Sequence, residues 1–231
     1  MDILPIKQSS NWILLMPRFL GLRLILAATV LLSSIILFGI IAINVVNGDA
    51  FTIVDAHIAH WLHVHSTPIL TQYLLILTHL HDPITISFMV ALMACYLIQK
   101  KRWYDVLTLL LVVPGGMVLN LLVKQVFQRA RPIFEQPLTM LTTYSFPSGH
   151  VAATTLFYGM LAVLLISKTR TRIKTAFIIL IAFAMIVIVA LSRLYLGAHY
   201  LSDVLAAFFE GMAWLALCLT AIHTYRVYHD T

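Results

Sequence analysis

The sequence predicts an all-α membrane protein: a six-transmembrane-helix bundle with an outer interfacial helical segment. Hydrophobic residues make up 61% of the 231 positions and charged residues 10%, whereas soluble domains run at about half and a quarter. Apolar runs near the roughly 20 residues that cross a bilayer fall at 24–46, 84–99, 104–123, 148–166, 175–191 and 200–222. Their connections are short, with no Ser/Gly-rich linker, repeat or low-complexity stretch, so residues 1–231 read as a single integral-membrane domain. Any chemistry has to be built within the bundle.

The first run is too long for the apolar core of a signal peptide and lacks a small-x-small cleavage site, so it is expected to stay as an anchor. Threading six spans alternately puts Lys7, Arg18, Arg23, Lys100, Lys101, Arg102, Lys168, Arg170, Arg172, Lys174 and Arg226 on one side. Excess Lys and Arg mark the cytoplasmic side, which places both termini inside. Only Lys124, Arg129, Arg131 and Arg193 are left for the outer side, where cations are depleted. The formal charge of +6 is thus mostly inner-surface charge, suited to anionic headgroups and without implication for nucleic acid.

Between the first two spans, residues 48–83 are too polar to cross and too apolar for plain loop. Val54, Ile58, Trp61, Leu62 and His65 recur at helical spacing, so an amphipathic helix lying on the membrane is expected, with a further short helix over 73–81. His57, His60, His63, His65, His79 and His81 in this segment form no ligand triad of fixed spacing, and an aqueous interface accounts for them. Cys95 and Cys218 fall inside spans with no CxxC pattern and are expected to pack in the core. Pro114-Gly115-Gly116 interrupts the third span and predicts a kink or a close helix contact. Asn120 lies one turn before Lys124, where sharing a bond with it and gluing two helices are both open. Glu210 sits inside the last span, with pairing inside the bundle or a place near a lipid tail as its two readings.

Three clusters at the outer ends of the spans carry chemistry. Lys124 and Arg131 stand seven positions apart, nearly two helical turns, so they project to one side if the helix continues before Pro132 ends it. Next comes Tyr144-Ser145-Phe146-Pro147-Ser148-Gly149-His150, a polar turn ahead of an apolar run. Ser148 is placed to cap that helix, whose free N–H groups attract anions, and His150 in its first turn is placed to give a proton to a leaving group. Last, Ser192-Arg193 precedes His199 and, four residues on, Asp203. A carboxylate at that spacing either stitches a helix start or holds one imidazole nitrogen as N–H and frees the other as a nucleophile or base. Each cation about 4 Å from a phosphate contributes roughly 4 kcal/mol at an effective dielectric of 20. No acidic cluster suggests Mg²⁺, so protein cations are expected to do that work, with no metal or cofactor implied.

Lys124 with Arg131-Pro132, then Pro147-Ser148-Gly149-His150, then Ser192-Arg193 with His199 and Asp203, together resemble the three-part signature of the type 2 phosphatidic acid phosphatase (PAP2) superfamily. The resemblance implies a PAP2-like, metal-independent lipid phosphatase. It further implies that His199 attacks phosphorus, Asp203 orients it, His150 protonates the leaving oxygen, and Lys124, Arg131, Ser148, Gly149 and Arg193 hold the phosphate. The expected setting is a bacterial inner membrane with the site facing the periplasm. Undecaprenyl diphosphate, phosphatidylglycerophosphate and phosphatidate are the favoured substrates, with lipid A dephosphorylation, lipid phosphotransfer and non-catalytic lipid binding or transport as alternatives. The short outer loop over 133–146 leaves little room for a large headgroup.

Overall fold

A computed structural model describes residues 18–229 apart from 136 and 140–142, with side chains from residue 24 to 226. Among them are eight helices and no strand: α1 (Arg18–Asn47), α2 (Ala50–Val64), α3 (Pro68–His79), α4 (Pro83–Gln99), α5 (Trp103–Phe127), α6 (Gly149–Ile166), α7 (Arg172–Tyr195) and α8 (Leu201–His229). Five are long and apolar enough to cross a membrane: α1, α5, α6, α7 and α8. Helix α4, with 17 residues, is short for a span on its own. With α3 it forms a bent pair, at 43°, that makes a sixth candidate. Pro83 causes the break, because it lacks an N–H and forces Asp82 into the extended conformation seen there.

Lys7, the side chains of Arg18 and Arg23, and both termini lie outside the described residues. The other basic residues gather at one end of the bundle. Lys100 and Lys168 both lie over Tyr96, and Arg226 lies over Tyr104. The three motif clusters sit at the opposite end.

Helix α6 is the hub. It packs against α4, α5, α7 and α8, and residues 151–157 are buried in succession, so it is apolar all round rather than along one stripe. Its approach to α8 depends on small residues. A Cβ on Gly159 would come 2.6 Å from Leu215, and one on Gly211 2.9 Å from Thr155. Lipid tails are as apolar as leucine, so such close packing, rather than hydrophobicity, holds membrane helices together. Helix α1 packs along α8 and turns Ile25, Leu32 and Ile36 outward.

Pro114 does not interrupt α5. The Trp214 indole donates to the Leu111 carbonyl at 3.0 Å and covers Gly115 and Gly116, which makes this a close helix contact that supplies a donor beside the proline. One expectation is corrected: Cys218 is buried, but Cys95 faces out from α4. Helix α2 buries Asp55 and Ala59 against the bundle and leaves Val54 and Trp61 exposed, so its apolar stripe stays free for a membrane surface. Its polar anchor, Asp55, has to be buried to reach α8.

Candidate active site

The site is built around Asp203. Helix α7 ends at Tyr195, and Gly197 takes φ +63 in the turn that follows. Phe134 closes over this turn, 2.7 Å from where a Gly197 Cβ would stand, and stacks on His63 of α2 at 4.0 Å. The turn delivers His199 just before α8 and Asp203 into its first turn, where the helix dipole favours a negative charge. Asp203 is fully buried and accepts from Arg129 Nη1 at 2.7 Å, from the Ser145 hydroxyl and from the Tyr200 N–H at 2.8 Å. Its Oδ2 lies 3.5 Å from His199 Nδ1. The Ser148 N–H donates to the Asp203 backbone carbonyl at 3.1 Å, tying the second motif to the third.

Arg129 and Asp55 complete this network, and sequence reasoning gave neither a role in the site. Arg129 Nη2 donates to Asp55 at 2.9 Å and Nη1 to the Ser202 hydroxyl at 2.7 Å. Asp55 in turn accepts from the N–H and the hydroxyl of Ser202. Burial works against the Arg129 charge, but Asp203 and Asp55 together hold its pKa above the ordinary value. The available signal was an acid at membrane depth with no assigned partner.

Five of the sequence-predicted residues line one cavity of about 210 Å³: Lys124, Arg131, Gly149, His150 and His199, together with Asn120, Thr143 and the apolar Pro83, Met117 and Leu121. Lys124 is in the last turn of α5, with Nζ donating to the Tyr144 carbonyl at 2.7 Å. The expectation that the helix runs on to Arg131 is corrected: it stops at Phe127, where Gln128 is left-handed. Arg131 comes instead from an extended segment, donating to Thr143 O at 2.7 Å, to Ala198 O at 2.5 Å and to His199 Nε2 at 3.2 Å. Residues 130–134, 137 and 139 border, with Leu196, Gly197 and Ala198, a second, open cavity of about 390 Å³ that shares Arg131.

Asp203, Ser148 and Arg193 are buried and are not among the residues lining the first cavity. Ser148 precedes α6 as expected, but its hydroxyl makes no capping bond and, though fully buried, has no partner. Arg193 is equally buried, with Nη1 on the Thr78 hydroxyl at 2.6 Å and Nε and Nη2 unpartnered. A buried guanidinium with two idle donors is costly unless an anion arrives. His150 Nε2 donates at 2.5 Å to Asp82, a residue outside all three motifs, and His79 Nδ1 donates to the same carboxylate at 3.0 Å. His81 bonds Leu77 O and accepts from Tyr158, and His65 bonds Trp61 O, so these outer histidines serve structure. Glu210 accepts from Asn120 at 2.8 Å, which makes Asn120 a bridge between α5 and α8 rather than a partner of Lys124.

A profile of the PAP2 superfamily matches residues 105–226. This chain belongs to the PAP2 superfamily. It is 28% identical over 180 residues to phosphatidylglycerophosphatase B of Bacillus subtilis, covering 78% of this chain and 88% of that protein. It is 27% identical to the probable lipid phosphate phosphatase beta of Arabidopsis thaliana, covering 69% of this chain and 84% of that one. The crystal structure of a transmembrane PAP2 type phosphatidylglycerolphosphate phosphatase from B. subtilis superposes with a TM-score of 0.76 at 27% identity, over 84% of this chain and 96% of that one. Aquifex aeolicus LpxE shares the fold, with a TM-score of 0.58 at 20% identity over 72% of this chain and 95% of that one. The protein is a multi-pass membrane phosphatase of the PAP2 lipid phosphatase family.

Removing Arg129 strands two buried carboxylates, so Arg129→Leu is expected to cost about 3–5 kcal/mol of stability, read as a lower Tm in detergent. Burial, with the charges of Arg131 and Arg193, overrides Asp203 and pushes His199 down to about 3. Below about 6.5 an unfolded histidine takes up a proton that the folded site refuses. The stability from neutral His199 is therefore complete above that pH and lost as pH falls towards about 3. Wild-type Tm should fall more steeply across this window than that of His199→Gln.

Proposed function

We propose that this PAP2 protein is a metal-independent lipid phosphatase acting through a phosphohistidine on His199. The observation that carries the reading is the Arg131 Nη1 contact to His199 Nε2 at 3.2 Å. A guanidinium has only donors, so Nε2 presents its lone pair and Nδ1 carries the proton, facing Asp203. A neutral imidazole with its lone pair in a cationic cavity is a nucleophile aimed at an anion.

In the proposed sequence the phosphate displaces the Arg131 donor from Nε2 and takes it on an oxygen. Lys124, Arg131, Arg193, the Ser148 hydroxyl and the free N–H groups at the start of α6 gather the remaining oxygens. The Nε2 lone pair forms the N–P bond as the P–O bond to the lipid breaks, and the departing oxygen takes the proton from His150. Neutral His150 then accepts a proton from water, whose oxygen attacks phosphorus while the N–P electrons return to Nε2 and phosphate leaves. Asp82 orients His150, as Asp203 orients His199.

Pro83, Met117 and Leu121 form the apolar side of the cavity, and Leu121 is exposed on the bundle surface. A lipid tail can leave there between α4 and α5. Undecaprenyl diphosphate, phosphatidylglycerophosphate and phosphatidate fit this arrangement, and the Bacillus relatives favour the second. The basic end of the bundle supports a cytoplasmic face, with the site at the periplasmic face of a bacterial inner membrane and both termini cytoplasmic. The whole chain, 1–231, then works as one catalytic domain.

Purified protein in EDTA should release inorganic phosphate from at least one of these lipids, and His199→Ala should abolish release. Activity that needs added metal, or that survives in His199→Ala, would contradict the mechanism.

A further inference from the structure

Outside the three motifs, the elbow between α3 and α4 touches the site residues twice. Asp82 there holds His150, and Thr78, one turn earlier, holds Arg193. Thr78 is 3% exposed, and its hydroxyl accepts from Arg193 Nη1 at 2.6 Å. Among the described residues it is the one partner of that buried guanidinium, because Nε and Nη2 have none. Arg193 nonetheless belongs to the site, since its charge bears on His199.

The pattern of used and idle donors is informative. Nε and Nη2 share one edge of the planar guanidinium, the edge that can grip two oxygens of a phosphate at once. Nη1 lies off that edge. Thr78 therefore takes a donor that this two-point grip does not use, and in doing so sets the direction of the two that it does. The hydroxyl is a fixed point. Threonine is stiff at χ1, and α3 is tied down at both ends. At its start the Thr67 N–H donates to the Tyr195 hydroxyl of α7 at 2.7 Å, and just past its end the Tyr158 hydroxyl of α6 donates to His81 at 3.0 Å.

We infer that Thr78 is a positioning residue for phosphoryl transfer, aiming the Nε and Nη2 edge of Arg193 at the phosphate. It touches no substrate and acts through Arg193. Helix α3, which carries none of the motifs, thereby takes part in catalysis. The inference rests on the phosphatase reading and adds to it the group that orients one of its cations.

The test is Thr78→Val, which keeps the shape and removes the acceptor. Phosphate release in EDTA is measured on the lipid that wild type hydrolyses fastest. The variant is expected to lose about tenfold in kcat, the scale of one hydrogen bond to a charged group. KM should change less, because oriented donors act most strongly on the charge of the transition state. Thr78→Ser keeps the hydroxyl and should restore most of the rate. In Arg193→Lys the ammonium is too short to reach Thr78 and has no edge to aim, so adding Thr78→Val there should cost less than about twofold. If the buried valine prevents folding, Thr78→Ala carries the same comparison. Wild-type kcat in Thr78→Val, a Thr78→Ser as slow as the valine variant, or an equal loss in the Arg193→Lys background would overturn the inference while the phosphatase mechanism stands. A wild-type rate in Arg193→Lys alone would remove Arg193 from the phosphate site and take the inference with it. Release that survives in His199→Ala would overturn the mechanism and the inference together.

Discussion

The structure turns on the neutralisation of one buried carboxylate. Asp203 sits at the start of a membrane helix with no exposed surface, where an unpaired charge is costly. Three groups from separate parts of the chain meet it: the Arg129 guanidinium, the Ser145 hydroxyl and the Tyr200 N–H. Two of these fix something else. Arg129 reaches on to Asp55 and draws α2 onto the bundle, and Ser145 anchors the strand of chain that leads into α6. The same carboxylate faces His199, so the interaction that stabilises the outer end of the fold also sets the imidazole's orientation.

Around that fixed point the remaining charges are left deliberately unbalanced. Arg129 is saturated by two carboxylates, whereas Arg193 has two idle donors and Ser148 an idle hydroxyl. Lys124 and Arg131 spend their protons on main-chain carbonyls and on His199, bonds that an incoming anion can outbid. In the proposed mechanism this division separates structural from ligand-binding cations: Arg129 holds the frame, and the three motif cations take the phosphate. Burial depresses the pKa of Arg131, with only Asp203 opposing it.

Much of this was legible in the sequence because a membrane limits the choices. Long apolar runs have few fates, and charges placed against the inside rule have to be explained by function. Lys124, Arg131, Gly149, His150 and His199 were grouped by motif, and the structure brings them to one cavity. What stayed hidden was long-range pairing. Nothing local in the sequence joins Asp55 to Ser202, Asp82 to His150 or Asn120 to Glu210, since each pair meets only when helices pack. Helical periodicity around Trp61 marked the face of α2 that stays exposed, but it held no sign that Asp55 on the other side docks the helix onto the bundle. Arg131 was placed on a helix by counting turns, and the left-handed Gln128 that ends α5 has no strong local signature.

The central claim is that His199 Nε2 carries the phosphoryl group between the two halves of the reaction. The most direct measurement is rapid quenching of the enzyme during turnover under alkaline conditions, followed by mass spectrometry of the peptide spanning the turn from Arg193 to Asp203. An acid-labile phosphate is expected on His199, appearing with substrate and accumulating when His150 is replaced by a residue unable to draw the proton from water, provided a substrate with a good leaving group is used. Turnover with no phosphate on His199, or with phosphate on another side chain, would contradict it.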